Sequence, residues 1–284
     1  YTGLSAARTF AQRGVKAVVL EAETIGWGAS SRNGGMTLTG LKVAMQTAIK
    51  RYGHDLAKTL FQASIDSVAL VEQIVKEENI DCGFARTGHL LAANKPKHFD
   101  VLKDEVDFMA KEFNHKVHLV LPKDLHSEIG TDVYHGALVD EVSAGLNPAQ
   151  YVAGLAAAAV RAGAILCARA RVNRIERSQN RFVVETERGR VEAESVLVAT
   201  SGYTGNVTRK LQRKIIPIGS FIIATERLSD ELAHELSPKN RMIFDFKHFL
   251  NYFRLWDNRM IFGGRAAFFP ENENTIAQSG EILR

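Results

Sequence analysis

The densest run of ligand-binding side chains lies between Ile25 and Met36, where the chain reads Gly26-Trp27-Gly28-Ala29-Ser30-Ser31-Arg32-Asn33-Gly34-Gly35. Small residues let backbone N–H groups approach an anionic or planar ligand, the serine hydroxyls add donors, and Arg32 offers a fork that suits a pyrophosphate. The run is not a P-loop, because no Gly-Lys-Ser/Thr follows it. Upstream, Gly3 and Glu21 fit two places of a dinucleotide-binding fingerprint. A glycine permits close helix packing, and an acid about 20 residues on accepts hydrogen bonds from ribose hydroxyls. This half-motif serves a nicotinamide or a flavin dinucleotide equally well.

Other reactive types are scattered. His115 and His118 lie before and within a short strand-like run (116–121), point to opposite faces if it is extended, and lack a third ligand nearby. His54, His126 and His135 are isolated. No Ser-His-Asp or His-Glu-x-x-His arrangement emerges, so no metal and no catalytic residue is assigned. Cys82 and Cys167 belong to no Cys-x-x-Cys pair and suit a reducing compartment.

The elements that must position these residues follow from periodicity. Residues 1–14 read as a short helix closed by Gly14, and Lys16 to Ala22 as a buried strand with Glu21 at its carboxyl end. Leu41 to Glu78 reads as two helices broken near Tyr52-Gly53, and Gly88 to Ala92 as a strand. Phe99, Leu102, Val106, Met109 and Phe113 form a core-facing helical stripe. Asn147 caps a helix that Pro148 starts and Gly163 closes. Strands joined by tight turns follow from Ala164, ending in a run over Ser195 to Thr200 that is expected to be a buried strand. Alternation over Ile215 to Thr225, Met242 to Asp245, Leu250 to Leu255 and Arg259 to Gly264 predicts a second, antiparallel sheet, on which Tyr252 and Arg254 share a face. An aromatic and a guanidinium there suit a substrate carboxylate, or equally a solvated sheet surface.

Gly3-Leu4-Ser5-Ala6-Ala7, Leu20-Glu21-Ala22 and the loop from Gly26 to Gly35 together resemble the FAD-dependent D-amino-acid and glycine oxidase (DAO) family. The likeness is strongest to its gamma-glutamylputrescine oxidoreductase-like branch. Ser201 stands where that branch carries Asn. The resemblance implies an α/β fold, in which an FAD-binding Rossmann-like domain of the glutathione-reductase type interleaves with an α+β substrate domain built on an antiparallel sheet. The expected division is 1–80 with 146–206 for FAD, and 81–145 with 207–284 for substrate. Implied cofactor contacts are Gly3, Glu21, Ala29, Ser30, Ser31, Arg32, Asn33, Gly34, Gly35, the backbone of Val172 by the adenine, and Ala199, Thr200 and Gly202. Tyr252 and Arg254 are the substrate candidates.

The implied reaction oxidises the CH–NH group of a small amine or amino acid. Hydride passes to flavin N5, the imine hydrolyses, and molecular oxygen reoxidises the cofactor to give peroxide. Such chemistry demands no dedicated acid or base, because the cofactor is the electron sink. The Ser-Arg-Asn-Gly-Gly loop argues against the alternative, a nicotinamide-dependent dehydrogenase. A third possibility is a non-catalytic or incomplete flavoprotein. The first strand of the fingerprint is missing before Tyr1, and a new helix begins near Ala277, so the chain reads as the middle of a longer protein that by itself binds FAD weakly or not at all.

Composition sets the outer bounds. With 284 residues, 45% apolar and 24% charged, the chain is globular rather than disordered, collagenous or disulfide-stapled. A net charge of +4 is spread along the sequence and does not argue for nucleic acid. The longest uncharged stretch, Val142 to Val160, is interrupted by Ser143, Asn147, Pro148 and Gln150, so a membrane span is not expected. No secretory signal is visible, and a cytoplasmic location is expected.

Overall fold

A computed structural model describes residues 1–247, 250–267 and 273–283. Helix α1 (Thr2–Gln12) leads to β1 (Val18–Leu20), and the glycine-rich loop runs on to β2 (Met36–Thr37). Helices α2 (Met45–Tyr52) and α3 (His54–Glu77) follow, broken at Gly53, whose φ of +81° suits glycine. Next come β3 (His89–Ala92), α4 (Pro96–Phe113), β4 (His118–Val120), β5 (Ala137–Asp140) and β6 (Ala144–Gly145). Helix α5 (Pro148–Arg161) starts where expected, because the Asn147 side chain accepts the N–H groups of Ala149 and Gln150. Strands β7 (Ile165–Cys167), β8 (Val172–Ser178), β9 (Arg181–Thr186) and β10 (Gly189–Ala193) precede α6 (Arg209–Gln212) and β11 (Gly219–Ala224). The chain continues through α7 (Asp230–Leu236), β12 (Met242–Asp245), β13 (Tyr252–Trp256), β14 (Arg259–Ala267) and α8 (Glu273–Leu283).

Two layers of organisation result. Strands β1 and β7 pair in parallel, and β8–β10 form an antiparallel meander. Helices α1 and α5 cover the parallel pair with small residues, Ala7 and Ala159, which cluster with Ala164 before β7, so the helices approach closely. A seven-stranded sheet runs β11-β14-β13-β12-β3-β5-β4. One face of that sheet buries Leu90, Val139 and Ile243 against Leu125 and Ile129. The other carries Leu102 and Phe99 of α4 over Leu138.

Three expectations need correction. The second sheet is mixed, not purely antiparallel, since β12 runs parallel to β3. This arises because β3, far earlier in the chain, is inserted between β12 and β5. The run from Ser195 to Thr200 forms no strand, and Leu197 is 59% exposed. Its β-branched composition suits a parallel strand, but no backbone partner lies beside it among the described residues. Helix α8 begins four residues before Ala277, while Phe268, Phe269, Pro270 and Arg284 lie outside the described residues.

A buried ion cluster fixes the edge where β3, β5 and β12 meet. Arg241, 4% exposed, bonds Glu128, 2% exposed, at 2.5 Å, Glu141 at 2.6 Å and the Thr87 carbonyl at 2.8 Å, while Lys239 reaches Glu128 at 2.6 Å. Breaking a buried pair strands the remaining charge. Arg241→Met is therefore expected to lower unfolding free energy by about 3 kcal/mol, read from urea unfolding. A loss like that of a surface pair, under about 1 kcal/mol, would contradict the stated burial.

Candidate functional site

Three chain segments expected to face a cofactor converge. The Tyr1 hydroxyl, at the start of α1, donates to the Ser30 carbonyl and accepts from Asn33 Nδ2 at 3.2 Å. Gly3 lies so close to Ala199 that a Cβ on it would sit 3.5 Å from that side chain. Gly28 faces the Tyr203 ring, where a Cβ would come within 2.9 Å, and Trp27 meets the same ring edge-on at 6.1 Å. Gly3, Ala29, Ser30, Asn33 and Ala199 are thus brought together, with Thr200 and Gly202 in the turn that carries Tyr203. The first-turn N–H groups of α1 have no side-chain cap. That leaves donors and the positive end of a helix dipole at this junction.

Glu21 and Val172 form a second group. The Glu21 carbonyl accepts Ala170 N–H at 2.8 Å, just before β8 opens at Val172, and Arg171 pairs with Glu23. One carboxylate oxygen of Glu21 already accepts the Glu23 N–H at 3.0 Å, leaving the other for a ligand.

The loop is held from within and from below. Asn33 Nδ2 donates to the Ala29 carbonyl at 2.8 Å and its Oδ1 accepts Gly35 N–H at 2.8 Å. Gly35 has φ +64°, and a Cβ there would lie 2.0 Å from the Leu146 carbonyl, so only glycine fits. Arg32 stacks on Trp27 at 4.8 Å and has no ion pair among the described residues.

Facing the loop, β13 presents Tyr252, Arg254 and Trp256 on one side, and each seats on a glycine. A Cβ on Gly34 would come within 3.1 Å of the Tyr252 ring, one on Gly145 within 2.3 Å of Arg254 Nη1, and one on Gly83 within 2.1 Å of Trp256. Gly263 makes room for the other side of Tyr252. Arg254 is 6% exposed, donates from Nη2 to the Leu146 carbonyl at 2.7 Å and lies 5.4 Å from the Trp256 ring. Its Nε is buried with no partner, and no carboxylate pairs with it among the described residues. Burial pulls this guanidinium down to about 10, so it stays charged at neutral pH. A cleft of about 340 Å³ lies between these parts, bounded by Ser31 to Gly34, by Asn147 and Pro148, and by Arg254, Trp256 and the apolar edge of β11 and β14. Tyr252 does not border it, whereas Arg254 does.

The cleft thus has the polar residues Ser31, Arg32 and Asn33 of the loop in its lining together with an isoleucine wall of Ile222, Ile223 and Ile261. The donor set also fits an anionic dinucleotide, since Arg32 and the α1 N-terminus are free to receive negative charge. Sequence reasoning missed Trp256, Asn147, Pro148, Ile222, Ile223, Ala224 and Ile261. Asn147 and Pro148 were visible only as a helix start and the others only as strand residues, and nothing local tells which of these face a loop more than a hundred residues away. His115, read from the sequence only as lacking a third ligand nearby, is buried and bonds Asp140 at 2.7 Å. Among the described residues no group of three or more metal-ligating side chains occurs, and no helix is long and apolar enough to cross a membrane.

The family model for FAD dependent oxidoreductases (DAO) matches residues 1–283. The chain belongs to the DAO family. It is 34% identical over 278 residues to gamma-glutamylputrescine oxidoreductase of Escherichia coli (strain K12), covering 97% of this chain and 65% of that protein. It is 32% identical to a probable oxidoreductase, OrdL, of Haemophilus influenzae (strain ATCC 51907 / DSM 11121 / KW20 / Rd), covering 93% of this chain and 62% of the relative. The chain thus spans less than two thirds of either relative. Glycine oxidase from Geobacillus kaustophilus shares the fold, with a TM-score of 0.73, 17% identity and coverage of 97% of this chain and 72% of that one. The family is FAD dependent, which sets aside the nicotinamide alternative.

Beside the loop, burial pushes the His89 imidazole down to about 4. The folded chain then takes up that proton only near pH 4, whereas an unfolded chain does so near the ordinary histidine value of about 6.5. Stability from neutral His89 is complete above about pH 6.5 and is lost as pH falls towards about 4, a change on the order of 3 kcal/mol. Asp140, held at about 2, keeps its charge through that window. Denaturant midpoints at pH 7.5 and 4.5 should therefore differ more for the wild type than for His89→Gln. Equal differences would contradict a buried neutral imidazole.

Proposed function

We propose that this chain forms the cofactor cradle and one wall of the substrate cleft of an FAD-dependent oxidoreductase that oxidises the CH–NH group of an amine or amino acid. The observation carrying this reading is the seating of Tyr252, Arg254 and Trp256 on glycines of the segments beneath them, which leaves a charged, partly unbonded guanidinium at a cleft edged by Ser31 to Gly34. FAD, when bound, supplies the two-electron acceptor.

The chain's own residues bind and orient. Gly3, with the α1 N-terminus, and the loop residues Ala29, Ser30, Ser31, Arg32, Asn33, Gly34 and Gly35 hold the pyrophosphate and the ring. Glu21 takes the ribose, Val172 lies by the adenine, and Ala199, Thr200 and Gly202 close the far side. Residues 1–80 with 146–206 make the cofactor domain, and 81–145 with 207–284 the substrate domain. Arg254 orients a substrate carboxylate, because a desolvated guanidinium with a spare N–H has more to gain from an anion than from water. Trp256 and the isoleucines of the wall exclude water from the reacting carbon.

The lining of the cleft supports a carboxylate-bearing amine over a polyamine bound through its charge. Among the described residues no carboxylate borders the cleft, and two guanidiniums do. The names of the relatives and structural neighbours, which include gamma-glutamylputrescine oxidoreductase and glycine oxidase, agree with oxidation next to nitrogen. Molecular oxygen is the proposed final acceptor. The unpaired Cys82 and Cys167 support a reducing, cytoplasmic setting.

Titration with FAD and with NAD, followed by flavin fluorescence and by calorimetry, tests the cofactor. The expected result is measurable FAD binding at least tenfold tighter than NAD binding, and detectable NAD binding with none for FAD would sink the proposal. Anaerobic bleaching of the loaded protein by amines tests the substrate. Arg254→Gln should leave FAD affinity within about twofold but weaken a carboxylate-bearing amine by about 10- to 100-fold, the worth of one charged hydrogen bond.

A further inference from the structure

A second set of polar groups, outside the cleft, lies where the loop leaves it. After Gly35 the chain forms β2, which pairs with β6 through Met36 to Gly145 and Thr37 to Ala144, and Leu146 N–H donates to the Gly35 carbonyl at 2.9 Å. Thr39 is then gripped twice by the turn between β5 and β6. Its hydroxyl donates to Asp140 Oδ2 at 2.6 Å, and its N–H donates to Ser143 Oγ at 3.1 Å. Gly40 N–H donates to Ser64 Oγ of α3 at 2.8 Å.

Asp140 and Ser143 are themselves fixed. Asp140, 4% exposed, also accepts from His115 Nε2 at 2.7 Å and from Val142 N–H at 2.8 Å. Burial by itself would raise its carboxyl, but the bonds from His115, Thr39 and Val142 and the nearby His89 outweigh it. Ser143 is fully buried; its oxygen accepts Thr39 N–H and is hydrogen-bonded to His89 Nδ1 at 2.7 Å. His89 in turn stacks on Phe244 at 5.2 Å. Phe244 pairs with Tyr252 across β12 and β13, and Tyr252 rests on Gly34. The circuit closes on the loop from which it began.

A buried carboxylate costs several kcal/mol unless its bonds are directed and complete, and an apolar residue would fill the volume more cheaply. What the carboxylate adds is direction: it sets where Thr39 stands, and Gly34 lies so near the Tyr252 ring that a Cβ on it would come within 3.1 Å. We propose that Asp140 and Ser143 are positioning residues that act through Thr39 to hold the exit of the 30–37 loop in register with the β13 face. That this loop carries the cofactor rests on the function proposed above; the positioning does not.

Hydrogen–deuterium exchange of the chain, compared among wild type, Thr39→Val, Thr39→Ser and Ser143→Ala, tests it. Thr39→Val removes only the hydroxyl bond on a half-buried side chain and is expected to fold. Exchange over residues 33–40 should rise at least about fivefold in Thr39→Val and in Ser143→Ala. It should stay near wild type in Thr39→Ser, with α5 and β13 unchanged throughout. Unchanged loop exchange in Thr39→Val, or a rise spread evenly over the whole chain, overturns the proposal. FAD titration of the same variants separates the two readings. Faster loop exchange with weaker FAD binding supports both, and faster exchange with unaltered FAD binding supports the positioning role while counting against the loop as the cofactor's.

Discussion

The structure depends on the absence of three side chains. Tyr252, Arg254 and Trp256 descend from β13 onto Gly34, Gly145 and Gly83, and any Cβ at those points would meet them at or inside van der Waals contact. Large, semi-rigid side chains gain dense contact at low entropy cost when the opposing backbone is bare. The seven-stranded sheet is thereby pressed directly against the glycine-rich loop and the start of α5. Arg254 converts this packing into polarity. Its bond to the Leu146 carbonyl anchors one end of the guanidinium, the buried Nε remains unsatisfied, and the residue lines the cleft. An unmade bond on a buried charge is a standing cost, and a ligand anion relieves it.

That arrangement explains which parts of the molecule could be read from the sequence. Features set by local geometry were legible: the Gly53 break, the Asn147 cap with Pro148 after it, and the α4 stripe all depend on residues within a turn or two. The loop from Gly26 to Gly35 was legible too, because its composition excludes a packed element. Tyr252 and Arg254 could be placed on one face by alternation, but not assigned to a buried or a solvated one. That choice depends on Gly34 and Gly145, over a hundred residues upstream, and no period in the sequence connects them. Asp140 and His115 were hidden for the same reason. An acid at the end of Ala137-Leu138-Val139 looks like an ordinary strand terminus until a histidine from the far end of α4 is folded onto it.

The failure at Ser195 to Thr200 has a different cause. Parallel strands are bonded on both sides, and their continuous apolar composition reflects burial on both faces. Val196, Leu197 and Val198 carry that composition, yet the sheet of β1 and β7 has only those two strands among the described residues, and Val18 and Ile165 are 41% and 59% exposed. Composition recorded a demand for a neighbour without recording which segment meets it. Propensity states what a segment requires, and pairing states what it receives.

Two buried ionic devices stand back to back at the end of β5, and their contrast separates support from positioning. Glu141 faces outward with Arg241, Glu128 and Lys239, and ties strand ends together without touching the loop. Asp140, one residue earlier and therefore on the opposite side of the strand, faces inward to Thr39 and His115. The outward cluster resists separation of β3, β5 and β12 whatever the cleft contains. The inward one constrains a single residue of the segment that enters the cleft. A strand has two faces, and at this position the chain uses one to hold the sheet together and the other to aim the loop.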